Sequence, residues 1–205
     1  QSIRVKYSAP FSHSDISKTE LSLKNLGQDL PILLNFLPSV VTTSDAGAGI
    51  GYTGIRIRGV SAQSTNITIN GIPFNDTESL GTYWVNLPDF TSSIESLQVQ
   101  RGVGTSTNGS GAFGASINIL TDAVSEEAYA EISNSVGSYN TYKNTVKFST
   151  GKINDVFELS GRLSKIDSDG YIDRAFSDLK SYFLQGSYLK GSTFIKALAF
   201  GGHEK

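Results

Sequence analysis

Residues 94–120 read IESLQVQRGVGTSTNGSGAFGASINIL. Two short runs, 94–101 and 115–120, alternate apolar and polar side chains around a glycine-rich stretch, 102–114. Alternation with period two predicts strands. Gly102, Gly104, Gly109, Gly111 and Gly114 lack the Cβ that disfavours positive φ and keeps backbones apart, so they are read as structural glycines. A phosphate-cradling loop is the rival reading. It requires a Lys-Ser/Thr pair and a helix after the glycines, and neither pattern follows. Strand, glycine loop, strand is the unit from which the rest is built.

Upstream, residues 65–74 (TNITINGIPF) alternate again, and Asn70-Gly71 is a tight-turn signal. Residues 54–60 (GIRIRGV) set Ile55 and Ile57 against Arg56 and Arg58, a strand with one apolar and one cationic face. Gly59 and Gly71 join the structural glycines. Residues 45–54 (DAGAGIGYTG) carry four glycines and read as a loop. A helix is expected over 22–37: Leu30, Leu33, Leu34 and Leu37 share a face, Asp29 and Pro31 suit its start, and Pro38 stops it. Residues 88–93 suit a short helix with Asn86 or Asp89 near its start. The expectation is an α+β domain over 20–123, a small mixed sheet with short helices, preceded by an N-terminal extension over 1–19.

The texture changes near 121–125. Beyond it, five strands are predicted: 128–136, 140–150, 156–166, 181–189 and 193–202. In the third, Phe157, Leu159, Gly161 and Leu163 oppose Glu158, Ser160, Arg162 and Ser164. In the second, Tyr142, Val146 and Phe148 oppose Lys143, Thr145 and Lys147. The connections at 137–139, 151–155 and 190–192 are short, whereas 167–180 is long, polar and acidic. Tyr139, Tyr142, Tyr171, Tyr182 and Tyr188 fall near the strand ends. Each strand is long enough to cross a bilayer at a tilt, and such loop asymmetry and aromatic ends suit a membrane barrel. Periodicity alone fits a soluble β-sandwich equally well.

Composition removes several classes. The net charge is −2 with no basic block, so the nucleic-acid footprint is missing. There is no Cys for a disulfide, a thiolate metal site or a nucleophile. His13 and His203 stand far apart and are read as solvated, leaving no metal or cofactor site. No catalytic constellation appears, so an enzyme is not expected. Asp167, Asp169 and Asp173 are loosely spaced like a calcium loop, but Gly170 comes too early and no Glu closes it. No run of about 18 apolar residues is present, so no membrane-spanning helix is predicted.

Four ordered stretches within 20–122 resemble the plug of TonB-dependent outer-membrane receptors. DLPILLNFLPSVV resembles its opening helix and proline turn, GIRIRGV its arginine-bearing strand, and ITINGIPFND the hairpin that follows. The opening stretch, with its arginine-glycine and glycine-alanine-x-glycine elements, resembles the closing segment. Residues 126–205 then resemble the first strands of the family's barrel. GTYWVNLPDF has a flavour of Bacteroidetes iron and cofactor receptors.

The resemblance implies a cell outer-membrane protein whose plug, inside the barrel and facing the periplasm, gates uptake of a scarce solute. It implies a ferric siderophore, haem or cobalamin-type ligand, and as partners TonB with its inner-membrane energising complex, outer-membrane lipid and the extracellular ligand. The hairpin is ITINGIPF and not the VVDG form of the polysaccharide-utilisation branch, which makes glycan import less expected. Arg56, Arg58, Glu95 and Arg101 are the expected plug–barrel ion pairs, with guanidiniums on the plug and carboxylates on the wall. Tyr52, Tyr83 and Trp84 are expected at the plug apex as ligand contacts, or as packing against barrel loops. Residues 2–8 (SIRVKYS) match the family's TonB box poorly, which leaves the box upstream or absent. Five strands cannot close a barrel, since the smallest bacterial ones have eight, so a truncated barrel is expected. A soluble all-β adhesion or carbohydrate-binding module is the alternative.

Overall fold

The computed structural model describes residues 4, 11–103 and 111–205. Gly104, Gly109 and most of the 2–8 segment lie outside them. The amino-terminal half contains β1 (His13–Ser17), β4 (Thr65–Ile69), β5 (Ile72–Pro73), β6 (Ile94–Arg101) and β7 (Ala115–Thr121), in sheet order β1-β6-β7-β4-β5. β4 and β7 are parallel and the other neighbours antiparallel, so the sheet is mixed. A separate ribbon pairs β2 (Val40–Ser44) with β3 (Thr53–Ile57). Ile67, Leu97, Val99, Ile117 and Ile119 bury one face of the sheet against Ile55, Ile57, Leu34 and Trp84.

The expected helix over 22–37 divides into α1 (Lys18–Lys24) and α2 (Leu30–Leu33). Gly27, at φ 123, breaks the run. α1 begins where the sequence reading saw only an extension. Ser17 caps it, and the Ser17 side chain and Glu20 carboxylate bond each other's backbone N–H in a capping box. The four leucines of the helical face are all buried even though only one turn is regular. Their spacing reported the core correctly and the helix length incorrectly. β1, also inside the presumed extension, pairs with β6 from His13↔Gln100 to Ser17↔Ser96. His13 is therefore not a solvated terminal residue; its side chain is 9% exposed and its Nδ1 lies 2.8 Å from the Phe11 carbonyl.

Residues 128–204 form a five-stranded antiparallel meander: β8 (Ala128–Gly137), β9 (Thr141–Thr150), β10 (Phe157–Ser168), β11 (Ser177–Lys190) and β12 (Thr193–Glu204). β10 and β11 run further than expected. Asp167 and Ser168 pair with Asp178 and Ser177, so the long connection shrinks to 169–176. Alternation continues through the acidic stretch: Ile166 and Leu179 pair and are buried with Ile50 and Val85 of the first domain.

Which face of the meander is buried separates the two sequence readings. Ser160, Arg162 and Ser164 of β10, and Lys143, Thr145 and Ser149 of β9, are buried against the first domain. Leu163 is 61% exposed, Ile132 72% and Val136 76%. A sandwich buries its apolar face. Here the polar face packs inward and the apolar face is bare, the pattern of a barrel wall that meets hydrocarbon.

Candidate functional site

The two halves meet where a tight, polar turn of the first domain enters the wall. Trp84–Asn86 and Phe90–Ser93 are single 3-10 turns, and Asp89 between them adopts φ 52, ψ 23. That left-handed conformation, which Asp tolerates better than most residues, turns Pro88 and Asp89 outward. Lys143 Nζ lies 2.7 Å from Asp89 Oδ1. Thr145 Oγ1 and Ser164 Oγ donate to Oδ2 at 2.8 and 2.5 Å. Arg162 Nη1 stands 3.3 Å from Oδ2, within ion-pair distance, while its Nη2 donates to the Pro88 carbonyl at 3.4 Å. Ser181 Oγ donates to the same carbonyl at 2.8 Å. From the first domain, Ser92 Oγ and Asn25 Nδ2 donate to Oδ1 at 2.6 and 3.3 Å. Burial alone would raise the Asp89 pKa; the Arg162 and Lys143 charges and the Ser164 hydroxyl override it and hold the carboxyl well below the usual carboxylate range.

A second anchor lies at the end of β7. Asp122 Oδ2 pairs with Lys147 of β9 at 3.0 Å, and Oδ1 pairs with Lys18 of α1 at 2.7 Å. Its carbonyl accepts from Gln185 of β11 and Lys196 of β12, both at 2.9 Å. Burial opposes ionisation of Asp122, but Lys147 and Lys18 outweigh it and lower the pKa. Between the anchors, Phe90 meets Phe183 and Phe200 edge-on at centroid distances of 5.9 and 5.3 Å, and Phe74 lies 5.9 Å from Phe200. Phe183 and Phe200 are register partners on β11 and β12. The joint is an aromatic wedge between two carboxylates.

These ion pairs run opposite to the expected polarity: the domain supplies the acids and the wall the bases. Arg101 does not reach the wall. Its guanidinium binds Ser12 Oγ, Ser14 Oγ and the His13 carbonyl at 3.1, 2.8 and 3.3 Å and clamps β1 to the sheet. Glu95 pairs with Lys18 at 3.5 Å, within the domain. Arg56 and Arg58 are exposed, and no ion pair involves either among the described residues. Asp89, Asp122, Lys143, Lys147 and Arg162 were missed as a site. The signal was present: Lys143, Lys147 and Arg162 sit on the polar face of strands whose other face is apolar, and a charge on the inward face of a barrel needs a counter-charge.

Of the glycines, Gly71 forms the second half of a tight turn with Asn70, at φ 86 and 51. Gly114 is demanded by close approach: a Cβ there would lie 2.7 Å from Val60 Cβ. Gly59 and Gly102 also have positive φ. Gly111 is the exception, since a Cβ there meets open space.

The three aromatic residues do not act alike. Trp84 is 4% exposed and belongs to the core, whereas Tyr52 and Tyr83 are exposed. Tyr52 helps line a cavity of about 410 Å³ with Asp45, Ile50, Val85, Phe176 and Leu179, between the glycine loop and the start of β11. The loop over 169–176 closes on the glycine loop: Tyr171 N–H donates to the Ala46 carbonyl at 2.9 Å. The Tyr171 ring packs on Gly47 and, edge-on at 5.4 Å, on Tyr139.

A mixed-sheet domain docked through charges on the polar face of a meander, whose apolar face points outward, defines a plug held against a barrel wall. The chain belongs to the TonB-dependent receptor plug domain family, whose model matches residues 5–116. It is similar to the vitamin B12 transporter BtuB of Vibrio vulnificus, 29% identical over 168 residues, covering 82% of this chain and 27% of that protein. It is also similar to the probable TonB-dependent siderophore receptor PirA of Acinetobacter baumannii, 30% identical over 188 residues, covering 86% of this chain and 22% of that protein. The chain thus spans about a quarter of the length of the curated relatives it matches. Among solved structures, the copper transporter OprC superposes with a TM-score of 0.77 at 17% identity, over 98% of this chain and 32% of that one. The siderophore receptor PirA from Acinetobacter baumannii gives 0.71 at 21% identity, over 94% and 31%. At these identities the structures establish the fold.

Proposed function

We propose that this chain is the gate and part of the wall of an outer-membrane receptor that takes up a ferric siderophore, haem or cobalamin-type ligand in a TonB-dependent way. The observation that carries the reading is the inverted meander, apolar outside and charged inside, filled by a domain of the plug family. The similarity to a cobalamin transporter and a siderophore receptor supports the ligand class. In this reading the plug faces the periplasm, TonB and its energising complex act on its amino-terminal side, and Tyr52 and Tyr83 stand at the ligand end. Arg56 and Arg58, unpaired with the five strands present, meet carboxylates on further wall strands.

Uptake of labelled ferric siderophore, haem and cobalamin by cells carrying the intact receptor tests this. Uptake of one class that disappears when TonB is deleted is expected. Uptake of none, or uptake that is indifferent to TonB, would sink the proposal.

A further inference from the structure

Asp29 is buried to 3% exposure beneath the glycine loop over 45–52, yet among the described residues no ion pair involves it. Its Oδ2 accepts from Thr53 Oγ1 at 2.8 Å, and its Oδ1 has no hydrogen-bond partner among the described residues. Its own N–H donates to the Gly49 carbonyl at 2.9 Å. One residue thus ties the loop at Gly49 and at Thr53, on either side of Tyr52. The same loop supplies Asp45, Ala46, Ile50, Gly51 and Tyr52 to the 410 Å³ cavity. A buried carboxyl with one empty oxygen is costly when ionised and acceptable when protonated.

We infer that Asp29 is a proton-operated latch of the glycine loop, holding it closed when neutral and loosening it when ionised. The charged groups around it do not neutralise it. α2, whose first residue follows Asp29, carries no titratable side chain. Asp45 on the loop and Arg56 on β3 are exposed. Lys143 of the wall packs beside Gly27, but its ammonium is committed to Asp89. Tyr171 of the wall packs on Gly47 and leaves the carboxyl untouched. Burial pushes the Asp29 carboxyl up to about 7, against the opposing pull of the Thr53 hydroxyl and the nearby Gly51 N–H. The folded-state value lies above the ordinary 3.8. The closed loop is therefore most stable at acid pH and loses stability as pH rises toward 7. The latch does not depend on which solute is carried.

Hydrogen exchange of the intact receptor in detergent micelles tests it, with rates corrected for the intrinsic pH dependence of exchange. Protection of the amides of Asp29, Asp45 and Gly49 is expected to fall by up to about a hundredfold between roughly pH 5 and 8 while Val99 and Ile117 hold theirs. Asp29→Asn is expected to abolish the fall. A flat profile in the wild-type protein, or the same fall in Asp29→Asn, overturns the latch. Should Asp29→Asn not fold, Thr53→Ala serves. Removing the hydroxyl that favours the ionised form moves the midpoint upward, and an unmoved midpoint overturns the proposal.

Discussion

The carboxylate of Asp89 and the ammonium of Lys143 lie 2.7 Å apart with side-chain exposures of 0% and 3%. A buried pair of this kind is worth little against an apolar replacement, but breaking it is expensive. Asp89→Asn leaves Lys143 and Arg162 without their counter-charge. It is expected to weaken plug docking by about 3–5 kcal/mol. Chemical denaturation of the intact receptor, followed by protease sensitivity of the plug, measures this. Adding Lys143→Met should recover part of the loss, and a double-mutant cycle without coupling would show that the pair does not act as a unit.

Acid loosens the same joint. Asp89 and Asp122 both have folded-state pKa values below the ordinary 3.8. Their stabilisation is therefore complete above the unfolded value and is lost as pH falls through it toward the folded values. Plug protection against protease should hold from neutrality down to about pH 5 and then decline. Asp89→Asn should flatten part of that decline.

Phe90 fills the space between the anchors against Phe183 and Phe200. Phe90→Ala is expected to cost about 3–5 kcal/mol of stability through lost burial and the cavity left behind. A thermal melt unchanged from wild type would remove the aromatic wedge from the account.

Gly114→Ala places a methyl 2.7 Å from Val60 Cβ and should cost about 1–3 kcal/mol by overpacking. Val60→Gly, which removes the clashing Cβ itself, should recover part of the loss. Gly111→Ala meets open space and should be nearly neutral. These three variants separate a glycine needed for packing from one that is not.

Leu163 points away from the plug. Leu163→Arg should reduce stability in a bilayer by about 2–4 kcal/mol if the residue lies near the midplane, and far less in water. Refolding into vesicles of defined thickness reads this directly.

The wall was the most legible part of the sequence, because every residue of a strand facing lipid on one side and a plug on the other must obey one period. Phe157 through Ser164 announced their faces without ambiguity, and the structure keeps them. The Asn70-Gly71 turn was equally local, since both residues need positive φ. Long-range pairings were harder. Arg101 and Asp89 are each one charge in a short polar stretch, and nothing adjacent to Arg101 says that it will grip β1 almost ninety positions earlier. The helix over 22–37 failed for a different reason: leucine spacing records which face is buried, while Gly27 decides whether the backbone stays helical. Asp29 was read as a helix start, and its burial beneath the glycine loop depends on tertiary packing that no local pattern encodes.

Between the end of β7 at Thr121 and the start of β8 at Ala128 the chain has only residues 122–127. Drawn straight, six residues reach about 20 Å. A plug kept folded is thus on a short leash, fastened beside its own Asp122 anchor. Any separation of Thr121 from Ala128 wider than the leash requires residues of β7 or β8 to leave their ladders.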